Sequence, residues 1–144
     1  MNILLAEDDS SSRKILHEML AELGHQVTVC EDGKAAWEAF QRNDYRLVVS
    51  DYSMPHLNGV ELCQKIRSAN NPHHTYFILQ TSCSEKSALL KALASGVDDI
   101  LLKPVDLHKL RAKLEVAEKF FELEQQSPCS AQVLDAIKEM LIKS

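Results

Sequence analysis

Apolar runs of β character fall near 2–6, 27–30, 46–50, 76–80 and 99–102, and each is followed by a segment whose apolar residues recur at helical spacing. Runs that are continuously apolar predict strands buried on both faces. Connections that contain a helix make neighbouring strands parallel, with right-handed crossovers. The expected architecture is α/β, a doubly wound (βα)5 sandwich. The first helix is expected to begin in the cap region Asp9-Ser10-Ser11-Ser12, to bury Ile15, Leu16, Met19, Leu20 and Leu23, and to stop at Gly24. Asp32-Gly33 opens the second helix, which carries Ala36, Trp37 and Phe40. Asn58-Gly59 opens the third, which carries Val60, Leu62, Cys63 and Ile66. Ser82 and Glu85 have capping-box spacing ahead of Ala88, Leu89, Ala92 and Leu93, with Gly96 as the C-terminal stop.

The end of the chain departs from this rhythm. From Asp106 a helical pattern runs through Leu107, Leu110, Leu114, Ala117 and Phe121, longer than packing on a sheet requires. After Gln125-Gln126, Ser127-Pro128 reads as a helix start with proline at its first position. Val133, Leu134, Ile137, Met140 and Leu141 follow at helical spacing. An extra C-terminal helix is therefore expected, with residues 1–122 as the main domain and 123–144 as a helical extension.

Composition narrows the class. A chain of 144 residues suits one ordinary domain and a short appendage, and 45% apolar with 26% charged residues is globular composition. The formal net charge of -5 argues against direct DNA binding and against an anionic membrane surface. Cys30, Cys63, Cys83 and Cys129 stand singly, without zinc or redox spacing, and read as free thiols. The start Met1-Asn2-Ile3-Leu4-Leu5-Ala6 lacks the basic, long apolar character of a signal peptide, and no apolar run reaches membrane-spanning length, so a cytoplasmic location is expected.

The candidate chemistry lies at strand exits. Leu47-Val48-Val49 leads into Asp51-Tyr52-Ser53-Met54-Pro55-His56-Leu57-Asn58-Gly59. Ile3-Leu4-Leu5-Ala6 leads into Glu7-Asp8-Asp9, and Ile100-Leu101-Leu102 into Lys103-Pro104. In an open α/β sheet the functional crevice lies at the carboxyl ends of the strands, where Glu7, Asp8, Asp51, Thr81 and Lys103 would converge. Three neighbouring carboxylates repel one another by about 4 kcal/mol per pair at ~4 Å and an effective dielectric near ~20. A hard divalent ion relieves this, and magnesium suits a site with few carboxylates because it keeps waters or phosphate oxygens as further ligands. Such a site favours phosphoryl transfer, in which positioning and charge neutralisation dominate. Asp51 would attack and become an acyl phosphate, Lys103 would screen the added charge, and the Thr81 hydroxyl would donate to a phosphoryl oxygen.

Over roughly residues 1–122 these motifs together resemble the receiver domain of a two-component response regulator. In that family an acidic pair closes the first strand, the phosphoacceptor aspartate the third, Thr or Ser the fourth and Lys-Pro the fifth. Glu7-Asp8, Asp51, Thr81 and Lys103-Pro104 match, as does the Met54-Pro55 and Gly59 signature. The resemblance implies a flavodoxin-like sheet of strand order 2-1-3-4-5. It implies magnesium, with manganese as a substitute, bound directly by Asp8 and Asp51, completed by the Ser53 carbonyl and reached by Glu7 through water. It also implies a cis Lys103-Pro104 bond. The implied function is a signalling module more than an enzyme: Asp51 accepts a phosphoryl group from a sensor histidine kinase or histidine phosphotransfer protein, and the altered surface changes binding to a downstream protein.

Departures shape the remaining expectations. Ile100 stands where many receivers carry the Tyr or Phe whose rotation accompanies movement of Thr81, so the switch at Thr81 and Ile100 is expected to depend more on loop repacking than on an aromatic swing. Ser53 and Cys83, at positions that govern access of water, are small, which predicts a fairly accessible phosphoryl group of moderate lifetime. Asp98-Asp99 lies about 13 Å from Lys103, at the opposite edge of the sheet, and is assigned no catalytic role. His17, His25, His56, His73, His74 and His108 show no metal-ligand spacing, and His73-His74 reads as loop. Asp9 reads as a charged loop or cap residue. The C-terminal helix has three readings: it folds back, it pairs with a second copy as a homodimer, or it begins an output domain; pairing or docking is favoured. Rival functions are a phosphorylation-independent interaction module of the same fold and an aspartyl-nucleophile phosphohydrolase, for which Ser53 stands where a second aspartate is needed.

Overall fold

The computed structural model describes residues 1–69, 71, 73–82, 86–126 and 138–142. Five strands, β1 (Asn2–Ala6), β2 (Gln26–Cys30), β3 (Leu47–Asp51), β4 (Tyr76–Thr81) and β5 (Asp99–Leu102), alternate with helices α1 (Ser10–Glu22), α2 (Gly33–Arg42), α3 (Gly59–Ser68), α4 (Lys86–Ser95) and α5 (Leu107–Gln126). All strand pairs are parallel, in the order β2-β1-β3-β4-β5. This is the doubly wound α/β sheet, with its flavodoxin-like strand order, that the βα alternation and the motif match predict. The chain turns from leftward to rightward winding between β1 and β3, so the crevice at the carboxyl ends of those strands is the topological switch point.

Burial explains why the strands read as unbroken apolar runs. One face of the sheet, through Leu4, Ala6, Val48, Phe77 and Leu79, packs with Ala36 and Phe40 of α2, with Val60, Leu62, Cys63 and Ile66 of α3, and with Ala92 of α4. Ile3, Leu5, Leu47, Val49 and Ile78 alternate to the other face and are equally buried. Helix α1 lies on β1 and β2 and buries Leu16 and Leu20. The expectation that Ile15 is buried is corrected, since that side chain is 51% exposed. The buried row of α1 is the i, i+4 pair 16 and 20, and Ile15 sits a step of about 100° back from it. Met19 and Leu23 are half-buried. In α4, Leu93 is more exposed than an inward stripe would make it, at 48%.

Helix starts are set by short polar side chains. Asp9 accepts from Ser12 N at 2.8 Å, and Asp32 accepts from Ala35 N at 2.7 Å. Asn58 and Glu61 form a reciprocal capping box at 2.8 and 3.0 Å. Each such cap is worth about 1 kcal/mol. Gly24 and Gly96, with φ of 92° and 98°, end α1 and α4 in the left-handed region that the stop signals predict. Gly33 and Gly59 are needed for a different reason. A Cβ on Gly33 would occupy the place of the Leu57 carbonyl oxygen, and one on Gly59 that of the Asp51 carbonyl oxygen. Gly33 therefore presses directly on the backbone of the segment that follows β3, and Gly59 on the backbone of the last residue of β3.

At the far end of the sheet, Asp98 is buried and fully partnered. It accepts from Arg67 Nη2 at 2.7 Å and from Phe77 N at 2.8 Å, and it lies 3.0 Å from His74 Nε2. Arg67 also donates to the carbonyls of Gly96 and Thr75. Asp98 thus joins α3, the segment before β4 and the segment before β5. The reading of His73-His74 as loop is refined accordingly: His74 has a loop backbone but a fixed carboxylate partner.

The chain forms two compact units, Met1–Pro104 and Val105–Ser144. In the second, Asp106 accepts from Lys109 N at 2.8 Å and starts α5, which buries Leu110, Leu114, Ala117 and Phe120. Phe120 takes the buried place and Phe121 lies half-buried edge-on to it, with ring centroids 5.9 Å apart. Residues 138–142 are helical, and Leu141 lines a hollow of about 650 Å³ with Ala112 and Val116. Ser127-Pro128, Val133, Leu134 and Ile137 of the expected sixth helix lie outside the described residues, as do Cys83, Glu85 and Cys129. Among the described residues no helix is long and apolar enough to cross a membrane.

Candidate functional site

Four strand ends deliver the site. Asp51 is the last residue of β3 and Thr81 the last of β4, while Glu7 and Lys103 follow β1 and β5 with backbone pairing still intact. Glu7 N donates to Cys30 O at 3.1 Å, and Lys103 N to Thr81 O at 2.9 Å. Because the ladder holds each residue's backbone, side-chain placement follows from strand register.

Glu7, Asp8 and Asp51 each bring a carboxylate oxygen within 4.8 Å of the others. Lys103 Nζ lies 2.8 Å from Asp51 Oδ1. Glu7 and Asp51 are buried, at 1% and 5% exposure, whereas Asp8 is open to solvent and the Lys103 side chain is 39% exposed. Burial pushes the Glu7 carboxyl up from its usual 4.5 to about 7, and the negative charge of Asp51 adds to that rise. The Asp9 backbone N–H and Lys103 pull the other way. Three acids facing one lysine leave the cluster short of positive charge, and the donors are all hard oxygens. A small divalent cation such as magnesium fits both facts.

The other expected residues fall around this cluster. Thr81 is fully buried at the end of β4. Its neighbour Gln80 is the residue registered with Asp51. Ser53 is exposed, two residues beyond β3. Ile100 is half-buried and packs against the core beside Leu79, its register partner. The Lys103-Pro104 peptide is cis, as the motif implies. Asp9 caps α1 and also donates its N–H to Glu7 Oε1 at 3.1 Å, so the cap residue helps hold the acid. The segment leaving Asp51 is tied down by Tyr52 N to Gln80 O and by Gly59 N to Tyr52 O, each 2.9 Å. It turns tightly at His56, whose φ is 70°, with Leu57 N donating to Pro55 O at 2.8 Å.

Two site residues escape sequence reading. Arg13 Nη1 donates to the carbonyls of Glu7 at 3.0 Å and Asp8 at 3.3 Å, so a cation on the first turn of α1 braces the acidic pair from behind. Its signal is the position one helical turn after the Asp9 cap. Gln80 is 2% exposed and donates through Nε2 to Glu7 Oε2 at 2.7 Å. Its signal is a single amide in the otherwise apolar run Tyr76-Phe77-Ile78-Leu79, directly before Thr81.

The family model described as the response regulator receiver domain matches residues 3–115. The chemotaxis protein CheY1 of Helicobacter pylori (strain J99) is 34% identical over 118 residues, covering 81% of this chain and 95% of that protein. Among solved structures, the Francisella response regulator 1452 receiver domain is 30% identical, with a TM-score of 0.73 and coverage of 82% of this chain and 96% of that one. The receiver domain of the sensor histidine kinase PA1611 from Pseudomonas aeruginosa, which has a magnesium ion coordinated in its active site cleft, is 29% identical, with a TM-score of 0.74 over 79% of this chain and 93% of its own. Fold, strand-end chemistry and sequence similarity agree, and the chain belongs to the response regulator receiver domain family of two-component signalling.

Proposed function

We propose that this receiver works as a phosphoacceptor switch, with Asp51 as the residue modified. The observation that carries the reading is the Lys103 Nζ to Asp51 Oδ1 contact of 2.8 Å at the centre of the Glu7, Asp8 and Asp51 cluster. An Asp51 oxygen attacks the phosphorus of a donor phosphohistidine, the P–N bond breaks and its electrons pass to the imidazole, which takes up a proton. The product is an aspartyl phosphate. Magnesium, held by Asp8, Asp51 and the Ser53 carbonyl with Glu7 acting through water, would supply charge neutralisation at the phosphoryl oxygens. Lys103 already sits on Asp51 and would move its ammonium to a phosphoryl oxygen. Thr81, buried at the end of β4, would donate its hydroxyl to another.

The donor is a sensor histidine kinase or a histidine phosphotransfer protein, and the receiver is a regulatory module whose output is altered partner binding. That output is limited by how much better the modified site suits the active arrangement, and a differential of a few kcal/mol suffices. In place of an aromatic ring, Ile100 would repack against Leu79 as Thr81 moves. Residues 1–122 form the receiver and 123–144 its extension. Exposed Leu123, Met140 and Ile142 support a role for that extension in pairing with a second copy or docking on a partner protein.

Incubation with acetyl phosphate and magnesium, followed by intact mass measurement, tests the reading. One phosphoryl adduct per chain is expected, dependent on magnesium and absent in Asp51→Asn. Unmodified wild-type protein under conditions that label a known receiver would overturn it.

A further inference from the structure

An amide in the middle of an apolar strand must earn its place. Every residue of β4 is buried, and burying a carboxamide without a partner is unfavourable, whereas burying a methionine of the same length is favourable. Gln80 meets that demand at one place. Its backbone is registered with Asp51 and its carbonyl accepts from Tyr52 N, so the residue is fixed beside the phosphoacceptor. Its side chain then crosses β3 to the end of β1, where Nε2 donates to Glu7 Oε2 at 2.7 Å. Asp9 N holds the other oxygen of the same carboxylate at 3.1 Å. Glu7 is therefore gripped at both oxygens, by a main-chain donor from its own loop and by an amide from two strands away.

We propose that Gln80 is a positioning residue for the metal site: it fixes the carboxylate of Glu7 in the orientation from which that acid supports magnesium at Asp8 and Asp51. This rests on the reading of the acidic cluster as a magnesium site. The physical reason is that a carboxylate acting at one remove from an ion contributes only if it is held still. Partners in that outer position commonly change metal affinity tenfold to a hundredfold, roughly, when they are lost. Without Gln80, Glu7 keeps the Asp9 N–H as its remaining amide donor and is free to rotate toward Lys103 or solvent.

The test uses the full chain, with magnesium binding read by isothermal titration calorimetry. Gln80→Met keeps length and flexibility and removes the donor, and Gln80→Leu serves as a second variant if the first does not fold. The expected result is a dissociation constant for magnesium raised about tenfold in Gln80→Met, with a cooperative unfolding transition retained in metal-free buffer. In a Glu7→Ala background the same change is expected to shift the constant less than about twofold, because its route through Glu7 is gone. Equal affinity in wild type and Gln80→Met, or a tenfold loss that persists without Glu7, overturns the inference. A wild type that binds no magnesium overturns the metal site itself, and with it this role, so the two failures are distinct.

Discussion

Replacing Glu7 by Gln isolates the electrostatic conflict in the site. Glu7 is buried beside Asp51, and its carboxyl is raised from 4.5 to about 7. Each unit of such a shift corresponds to about 1.4 kcal/mol, so the ionised form is disfavoured in the metal-free fold by about 3 kcal/mol. Below pH 4.5 the group is protonated in both folded and unfolded chains, and stability carries no cost. Between 4.5 and about 7 the unfolded chain releases this proton while the folded chain keeps it. The unfolded state then binds fewer protons, so stability falls as pH rises and levels off above about 7. The introduced carboxamide would mimic the protonated acid, accepting from Asp9 N or Gln80 and offering its own N–H toward Asp51, with no titration. Urea unfolding in EDTA, followed by the fluorescence of Trp37, is the assay. Relative to wild type, Glu7→Gln is expected to gain about 3 kcal/mol between pH 5 and pH 8, and saturating magnesium should shrink that gain in the wild type's favour by stabilising ionised Glu7. A difference between the two proteins that stays constant to within about 1 kcal/mol across that range would refute the reasoning.

Two further changes probe other parts of the fold. Asp98→Asn strands Arg67 and His74 without their anion. Breaking a buried pair costs about 3–5 kcal/mol, and since Arg67 retains the Gly96 and Thr75 carbonyls, a loss of about 2–3 kcal/mol is expected in the urea midpoint, with magnesium affinity unchanged. Gly59→Ala places a methyl against the Asp51 carbonyl and 2.5 Å from Leu79 Cδ1. It is expected to destabilise by about 1–3 kcal/mol and to slow adduct formation at Asp51, measured by denaturation and by intact mass with acetyl phosphate.

Strands were legible because both faces of this sheet are covered, which writes burial into the sequence as unbroken apolar runs such as Leu47-Val48-Val49 and Phe77-Ile78-Leu79. The acids and Lys103 were legible because strand ends are where backbone register alone brings distant residues together. Ile15 was misread because a helix on a sheet buries a narrow row, and the apolar residue next to that row carries the same sequence signal. The Asp98, Arg67 and His74 group was invisible for a different reason: it joins positions 24 to 31 residues apart through side-chain reach, which no local period encodes. Gln80 and Arg13 fall in the same class, since each acts on Glu7 through a single long side chain.

The bare contact between Gly33 and the Leu57 carbonyl has a mechanical consequence. Helices α2 and α3 also meet through side chains: Lys65 Nζ lies 5.6 Å from the centroid of the Trp37 ring, and such a pair can absorb a small displacement by changing rotamer. At Gly33 no such cushion exists, because helix backbone meets loop backbone. If phosphorylation draws the segment after Asp51 inward or outward, the first turn of α2 must travel with it or lose the contact altogether. A glycine chosen for fit therefore acts as a coupling without slack, and it hands any movement of that loop to the helix that carries the half-exposed Trp37.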